Sequence, residues 1–261
     1  MRSREPGRRQ IYGVGPVREL LRAGKPIALI YAAADRAQSR GKDPVAELVV
    51  AAQAAGVGVE LRTPRELDAL VTEDARHQGV IALTGELRYV DVAEIVAAAG
   101  DTPPLVVALD GVTDPHNLGA IIRSAYVLGA HGVIIPEHRA AQVTAVTTKA
   151  SAGATELLPI AQVGNLVRAL EELKAAGLWA CAIAASPGAR PLASMDLAGP
   201  LVLVLGAEGS GVRPLVARTC DLHAMIPMAA SGVGSLNVSV AAGVALYEVT
   251  RQRAARADGG A

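Results

Sequence analysis

From residue 105 onward, short apolar runs alternate with segments of helical periodicity, and this alternation limits the fold more than any other feature of the chain. The apolar runs that we predict as strands cover 105–109, 132–135, 179–183, 201–205 and 224–226. The segments that we predict as helices cover 118–128, 143–150, 166–175 and 238–251. Strands that are apolar throughout are buried on both faces, and helices are the usual connections between parallel strands. We therefore predict an α/β fold with a parallel sheet.

The composition suits such a fold, because 51% of the residues are hydrophobic and only 19% are charged. The chain has no Phe, and aromatic residues make up 2% of it, so its interior must be built from small aliphatic side chains. The same shortage argues against RNA recognition by stacking of bases on a row of aromatic rings.

Residues 11–84 are predicted to form a smaller α/β unit of their own. Its predicted strands cover 27–31, 57–61 and 80–83. Two of its helices have clear start signals, since Asp43 precedes Pro44 and a capping box runs from Thr63 to Glu66. Proline is favoured at the first helical position, and both kinds of cap satisfy backbone N–H groups that the helix leaves free.

The boundary between the two parts is predicted from the sequence Gly-Asp-Thr-Pro-Pro at 100–104, which interrupts the helical and strand patterns. A short helix is expected just before it, at 92–99. We therefore predict a first domain over 1–86, a linker over 87–104 and a second domain over 105–255.

Charge is unevenly distributed, although the formal net charge is zero. Residues 1–42 contain ten Lys and Arg against three Asp and Glu. The basic side chains near the start include Arg2, Arg4, Arg8, Arg9, Arg18, Arg22 and Lys25. Such a stretch is suited to RNA phosphates and equally to a solvated terminus.

Three further features bear on location and on metal binding. Cys181 and Cys220 lack metal-type spacing, no other ligand cluster is visible, and we expect no bound metal. Two cysteines indicate a reduced compartment, and the charged first ten residues lead into no apolar run, so we predict a cytoplasmic protein. Residues 222–247 carry no charge, but their polar, glycine-rich loop at 231–235 would leave backbone groups unsatisfied in lipid. We therefore predict no membrane span.

The first candidate site segment is Asp114-Pro115-His116-Asn117-Leu118-Gly119, followed by Arg123. It follows a predicted strand and opens a helix, which is where α/β sheets bind ligands. Asp114 or Asn117 can cap that helix, and ordinary capping with one surface arginine explains the pattern as well. Asn117 and Arg123 are six residues apart, so they meet only if Asn117 lies in the turn before the helix.

The second segment is Leu205-Gly206-Ala207-Glu208-Gly209-Ser210-Gly211, at the end of another predicted strand. Its glycines allow the backbone to approach a ligand closely. The glycine order does not match a dinucleotide fingerprint, and no Gly-Lys-Ser/Thr follows as in a P-loop. Taken alone, Glu208 can also be a solvated loop acid.

The third segment begins with Ile226-Pro227-Met228 and resumes at Ser235-Leu236-Asn237 before a helix rich in small residues. Ser235 or Asn237 can serve as the N-cap of that helix. Small residues along the helix allow close packing against another backbone. A plain buried helix explains these features equally well.

Taken together and in this order, the three segments resemble the signature motifs of the SPOUT methyltransferases, in the SpoU/TrmH branch. The match spans about residues 105–252, and the segments 151–154 and 186–189 also look like the family. The first part, through residues 11–13 and 77–80, is similar to the family's L30e/L7Ae-like substrate-binding domain. The resemblance implies S-adenosylmethionine as cofactor, a trefoil knot in the second domain and a homodimer through that domain. It further implies 2′-O-methylation of 23S ribosomal RNA, at a guanosine ribose of the peptidyl-transferase region.

The resemblance also assigns roles to individual residues. Arg123 is implied at the ribose 2′-hydroxyl, with Asn117 orienting it or the ribose and Glu208 anchoring the arginine or the loop. Ser235 and Asn237 are implied to shape the same catalytic site. The positions implied to contact the cofactor are Ala184, where relatives often have Thr, and Gly206, Ile226, Pro227 and Leu236. Between Met228 and Ser235 the chain carries one residue more than close relatives.

Other functions compatible with the same segments stay open at this point. The first is the same chemistry on tRNA, although tRNA enzymes of this branch use helical extensions instead of an L30e-like domain. The second is a resistance-type methylation of a ribosomal RNA adenosine. The third is a non-catalytic RNA-binding or ribosome-assembly factor on the same scaffold. A nucleotide-binding oxidoreductase is the least favoured, because a dinucleotide fingerprint is lacking.

Overall fold

The structure is a computed structural model that describes residues 9–39, 42–71, 76–186, 188–229 and 235–259. Arg2, Arg4 and Arg8, Pro187 of the segment 186–189, and residues 230–234 of the stretch expected to carry one extra residue lie outside these residues. The chain forms two compact units, one from residues up to 88 with 143–157 and one from 89–142 with 158 onward.

The described residues form eleven strands and ten α-helices, which alternate over most of the order. In chain order the strands are β1 (Arg9–Tyr12), β2 (Ile27–Ala33), β3 (Val59–Arg62), β4 (Val80–Thr84), β5 (Leu105–Asp110), β6 (Gly132–Pro136), β7 (Ile160–Val163), β8 (Trp179–Ile183), β9 (Arg190–Pro191), β10 (Leu201–Gly206) and β11 (Leu222–Met225). The helices are α1 (Val14–Arg22), α2 (Ala34–Ala37), α3 (Pro44–Ala54), α4 (Pro64–Leu70), α5 (Val92–Ala97), α6 (Pro115–Val127), α7 (Ala145–Ala150), α8 (Leu166–Ala175), α9 (Pro214–Thr219) and α10 (Val238–Gly259).

The first unit contains a four-stranded sheet in the order β1-β4-β2-β3. β4 runs antiparallel to both of its neighbours, whereas β2 and β3 are parallel. The two predicted helix starts are confirmed. The Asp43 carboxylate accepts a hydrogen bond from the Val45 N–H at 2.7 Å, and Thr63 and Glu66 form the reciprocal capping box.

The second unit contains a seven-stranded sheet in the order β7-β6-β5-β10-β8-β11-β9, and every strand pair in it is parallel. This confirms the predicted α/β fold with a parallel sheet. Its core is aliphatic, with Val106, Ala108, Ile134, Val202 and Val204 fully buried on central strands. The trefoil knot implied by the family resemblance stays a prediction.

Several elements differ from the sequence-based prediction. The short strands β1, β7 and β9 and the helix α9 were not predicted, because four residues or fewer, or one and a half turns, leave too little periodicity to recognise. The last predicted strand also ends earlier than predicted, since β11 closes at Met225 and Ile226 lies in the following loop.

The compact units have different bounds from the predicted domains. Val92 and Ile95 of α5, which lie in the predicted linker, are buried in the core of the second unit. Conversely, α7 and the turn after it pack in the first unit. There the Arg9 guanidinium donates to Thr148 at 3.1 Å and to Glu156 at 3.0 Å. The predicted functional domains therefore stay a prediction.

Both cysteines are free and buried, Cys181 on β8 and Cys220 just after α9. Burial raises the pKa of each thiol to about 12. Among the described residues, no helix combines the length and the apolarity that a membrane crossing requires.

The raised thiol pKa values predict that both cysteines are chemically inert in the folded protein. The thiolate is the reactive form, and at pH 8 it is a minute fraction of a thiol with a pKa of about 12. We expect Ellman's reagent to label neither cysteine of the native protein and both cysteines in guanidinium chloride. Fast labelling of the native protein would contradict the burial of these side chains.

Candidate functional site

The first site segment lies where β5 leads into α6 at the carboxyl edge of the parallel sheet. The Asp114 carboxylate accepts a hydrogen bond from the His116 N–H at 2.9 Å, so Asp114 is the N-cap. Pro115 takes the first helical position, and Asn117 is the third residue of α6. The Asn117 side chain therefore projects from the first turn of a helix whose free N–H groups point toward the site.

The third site segment enters α10 at the same edge of the sheet. Asn237 precedes the helix, and its side-chain oxygen accepts hydrogen bonds from the Ser239 N–H at 2.9 Å and the Ser239 hydroxyl at 2.6 Å. Asn237 is thus the N-cap, one of the two residues expected in that role. Its amide nitrogen is left free to donate elsewhere.

Glu208 joins the three segments through one carboxylate oxygen. Its Oε1 accepts from the Asn117 amide at 3.4 Å, from the Val238 N–H at 3.3 Å and from the Asn237 amide. The Asn237 amide also donates to Oδ1 of Asn117 at 3.0 Å. We call Asn117, Glu208 and Asn237 the Glu208 cluster. Its negative charge is held by the amino-terminal ends of two helices, which favour an anion there.

Arg123 stands apart from this cluster, although it lies on the same helix as Asn117. A separation of six positions places their side chains about 120° apart around the helix axis. Arg123 is exposed and makes no hydrogen bond or ion pair to the rest of the described chain. In this structure Asn117 and Glu208 bond to each other and to Asn237 and not to Arg123, and Asn117 lies inside the helix. Their expected roles toward the ribose and the loop stay predictions.

A cavity of about 570 Å³ opens beside the Glu208 cluster, between the ends of β8 and β10 and the start of α10. Four of the five expected cofactor positions line it, together with Glu208 and Ser235: Ala184, Gly206, Ile226 and Leu236. Pro227 is exposed and is not part of its wall. Wall residues that sequence reasoning missed include Ile183, Val238 and Ala241, all within five residues of a predicted position. Leu205 and Met228 of the second and third segments also line the wall, although no role was assigned to them.

Gly206 is required by the loop itself. A Cβ atom on Gly206 would lie 2.0 Å from the carbonyl carbon of Gly211 and 2.2 Å from the Val212 nitrogen. The loop returns so closely because the Gly211 N–H donates to the Ala207 carbonyl at 2.9 Å and Gly211 adopts a φ of 66°. The sequence suggested close approach of a ligand at this glycine, and the structure shows close approach of the chain to itself.

An ion pair between the buried Asp110 and the exposed Arg213 fastens this loop to the sheet, and sequence reasoning did not find it. Asp110 at the end of β5 is buried, and its carboxylate accepts from the Arg213 N–H at 2.7 Å and from the Arg213 guanidinium at 2.6 Å. A buried carboxylate is stable only with such partners. The sequence signal for this ion pair was Asp110 itself, an acidic residue at the end of the otherwise apolar strand β5.

The residues described by the structure contain no group of three or more His, Cys, Asp and Glu side chains arranged to hold a metal ion.

The family model described as the SpoU rRNA Methylase family matches residues 104–247, more than half of the chain. The chain belongs to this family. The resemblance seen in the three segments is thereby confirmed. A second model, for RNA 2′-O ribose methyltransferase substrate binding, matches residues 10–90.

Individual relatives are similar over almost the whole chain. The 23S rRNA (guanosine-2′-O-)-methyltransferase RlmB of Pseudomonas putida is 42% identical over 94% of this chain and 96% of its own. RlmB of Pseudomonas aeruginosa is 41% identical with the same coverage, 94% and 96%. Among solved structures, the SpoU methyltransferase AviRb of Streptomyces viridochromogenes in complex with AdoMet is 27% identical. It has a TM-score of 0.78 and covers 95% of this chain and 92% of its own.

The Glu208 cluster predicts a strong effect of the isosteric change Asn237→Asp. The Asn237 amide donates to both Asn117 and Glu208, and a carboxylate in its place repels Glu208. We expect a lower melting temperature at pH 8 that recovers toward pH 5, because a shared proton removes the repulsion. Thermal unfolding across this pH range tests it, with Asn165→Asp, a change at the N-cap of α8, as the control. Equal melting temperatures of Asn237→Asp and the native protein at pH 8 would contradict it.

Proposed function

We propose that this protein transfers a methyl group from S-adenosylmethionine to the 2′-hydroxyl of a guanosine ribose in 23S ribosomal RNA. The observation that carries the proposal is the junction of the Glu208 cluster with the cavity, since Glu208 belongs to both. Residues of the second and third motifs therefore line the cavity, and Asn117 of the first motif is hydrogen-bonded to Glu208 in its wall. The similarity to RlmB of Pseudomonas putida over 94% of the chain supports the choice of substrate.

The cavity fits the proposed cofactor in size and in chemistry. A volume of about 570 Å³ lies within the range of small-molecule sites. Leu205, Ile226 and Leu236 supply apolar walls for an adenine ring, and the glycine-rich loop at 206–211 supplies backbone polar groups. Bound there, S-adenosylmethionine supplies a methyl group already activated by its sulfonium. The remaining task of the protein is to hold the ribose hydroxyl in line and to stabilise the charge that it develops.

We assign that stabilisation to Arg123. An arginine side chain is a cation with five donors in a planar fork, which matches a phosphate or a developing alkoxide. Arg123 is exposed and has no partner in the described chain, so its fork is free for substrate. The Glu208 cluster acts indirectly, by fixing the loop at 206–211 against the starts of α6 and α10.

The first unit is proposed to bind the RNA, which is ribosomal RNA or a ribosome precursor. It includes residues 10–88 of the 10–90 matched by the substrate-binding model, and the basic side chains Arg18, Arg22 and Lys25 on and after α1. Because this substrate is found with the ribosomes, we also propose that the protein is located in the cytoplasm.

The proposed function is tested by mapping ribose methylation in 23S ribosomal RNA from cells with and without this gene. We expect one guanosine to lose its 2′-O-methyl group in the deletion strain. The purified protein with radiolabelled S-adenosylmethionine is expected to restore it on the RNA of that strain. An unchanged ribosomal RNA methylation profile would overturn the choice of substrate, and a lost modification in tRNA would replace it.

We also propose that the protein works as a homodimer through its second unit. α10 exposes Val240, Val244 and Tyr247, which share one helical face because they are spaced by four and three residues. α6, which packs on α10, exposes Tyr126 and Val127. Apolar side chains exposed together on two neighbouring helices are typical of a protein interface.

The dimer predicts that Tyr247→Glu yields monomers. Tyr247 is 60% exposed in the single chain, so a carboxylate there is tolerated by the fold and is disfavoured only in an interface. Sedimentation velocity is expected to show a dimer for the native protein and a monomer for this variant. Leu215→Glu, at a comparably exposed leucine of α9 (58%), is expected to remain dimeric. A monomeric native protein would refute the dimer.

A further inference from the structure

The connection after β6, residues 137–142, holds an arginine in a strained backbone conformation. Arg139 has a φ of 56°, in the left-handed region that residues with a Cβ atom rarely adopt. Its side chain is exposed and makes no hydrogen bond or ion pair to the rest of the described chain. Strain persists only where the surrounding structure enforces it, and it clusters at functional sites.

The strain at Arg139 is enforced by Gln142. The side-chain amide of Gln142 faces three carbonyl oxygens of the same connection, those of Pro136 at 3.2 Å, Glu137 at 3.4 Å and Ala140 at 3.1 Å. The Gln142 carbonyl in turn accepts from the Gln162 amide on β7. The turn is thus tied together from inside and fastened to the sheet, which fixes where Arg139 stands.

The same connection lies at the edge of the sheet that carries the candidate site. β6 is the parallel neighbour of β5, so their carboxyl ends share one edge. The Ala141 N–H donates to the Val112 carbonyl at 2.8 Å, two residues before the α6 cap Asp114. The turn that presents Arg139 therefore rests against the segment that leads to Asn117 and Arg123.

The charge of Arg139 is not neutralised by the acid beside it. Glu137 is directed elsewhere, with Oε2 lying 3.7 Å from the place of a Cβ on Gly164, in the turn between β7 and α8. No ion pair joins the two side chains in the structure. A fixed, exposed and unpaired guanidinium at a ligand-binding edge is suited to a phosphate, which its planar fork contacts through two hydrogen bonds.

We propose that Arg139 is a substrate-positioning residue that binds a backbone phosphate of the RNA beside the target nucleotide. This inference rests on the proposed function, because it assumes RNA as the substrate of the site. Arg139 holds the strand in register, and Gln142 acts through it by maintaining the turn. Arg139 takes no part in the reaction at the 2′-hydroxyl, which we assign to Arg123 and to the cofactor bound in the cavity.

Arg139→Gly is the most informative variant, because glycine adopts a positive φ without strain while the whole side chain, guanidinium included, is removed. We expect the melting temperature to be retained or raised, and the KM for RNA to rise about tenfold, as for loss of one charge-assisted contact. The kcat and the affinity for S-adenosylmethionine are expected to stay within about twofold. Direct binding of 23S ribosomal RNA should show a salt dependence flatter by about one phosphate contact.

Two further variants separate position from charge. Arg139→Lys is expected to recover part of the RNA affinity, because it keeps the charge without the fork. Arg168→Ala removes an exposed arginine of α8 that pairs with Glu172 at 3.1 Å, and it is expected to leave both KM and salt dependence unchanged. An unaltered RNA affinity and salt dependence in Arg139→Gly would overturn the inference. Because RNA binding is measured without turnover, a native protein that binds but does not methylate this RNA would count against the proposed function alone.

Discussion

Replacement of Arg123 by alanine is expected to lower methyl transfer to ribosomal RNA at least about a hundredfold while the affinity for S-adenosylmethionine stays within about twofold. Removal of one donor to a developing oxyanion has an effect of this size. Arg123 is exposed, has no partner in the described chain and is not part of the cavity wall. Its loss therefore removes no contact that stabilises the fold or the cofactor site.

This prediction is measured with radiolabelled cofactor for turnover and with calorimetry for cofactor binding. Arg123→Lys keeps the charge and is expected to fall between the native protein and the alanine variant, because a point charge replaces the planar fork. Normal turnover of Arg123→Ala would refute its assignment to the reacting hydroxyl. Loss of cofactor affinity would show that Arg123 supports the fold of the site instead.

Gly206→Ala is expected to abolish cofactor binding and to lower the free energy of unfolding by about 3 kcal/mol, as for overpacking in a rigid site. The added Cβ would lie 2.0 Å from the Gly211 carbonyl carbon and 2.1 Å from its oxygen, so backbone atoms must move. The displaced loop carries Glu208, and the Glu208 cluster separates with it. Displacement of the loop is therefore enough to explain the loss of cofactor binding, even if Gly206 itself does not contact the cofactor.

Denaturant unfolding and calorimetry measure the two effects of Gly206→Ala. Gly199→Ala is the matched control, because its Cβ would meet no atom within 4 Å and its φ is outside the positive region. We expect that variant to unfold and to bind cofactor like the native protein. Full cofactor affinity in Gly206→Ala would mean that the loop adapts, and that the contact to Gly211 is dispensable.

Elements specified by interactions between residues close together in the sequence were predicted, and elements specified by long-range contacts were missed. Helix starts at Pro44 and Pro64 were predicted, because Asp43 and Thr63 cap them within three residues. The strand β7 was missed, since its four residues gain their stability from pairing with β6 rather than from their own pattern. Likewise α7 was predicted as a helix, but its packing in the first unit depends on Arg9, 139 residues away from Thr148.

The candidate site divides in the same way. Each of Asn117, Glu208 and Asn237 was recognisable from its own segment, but only as a cap or a loop acid. Their hydrogen bonds join residues 91 and 120 positions apart, and no periodicity in the chain reports on such a contact. The relation between Asn117 and Arg123 was settled by the start of α6, because a position inside the helix directs the two side chains apart.

The sequence by itself determined the alternation of strands and helices, the caps, the parallel sheet and the family, because these depend on residues close together or on motif order. The tertiary structure decided how the three segments meet. It places Glu208 between two helix starts, closes the loop at 206–211 on its own backbone and fixes Arg139 through Gln142. Those arrangements arise only when distant strands align at one sheet edge, since the packing that brings them together is a property of the whole fold.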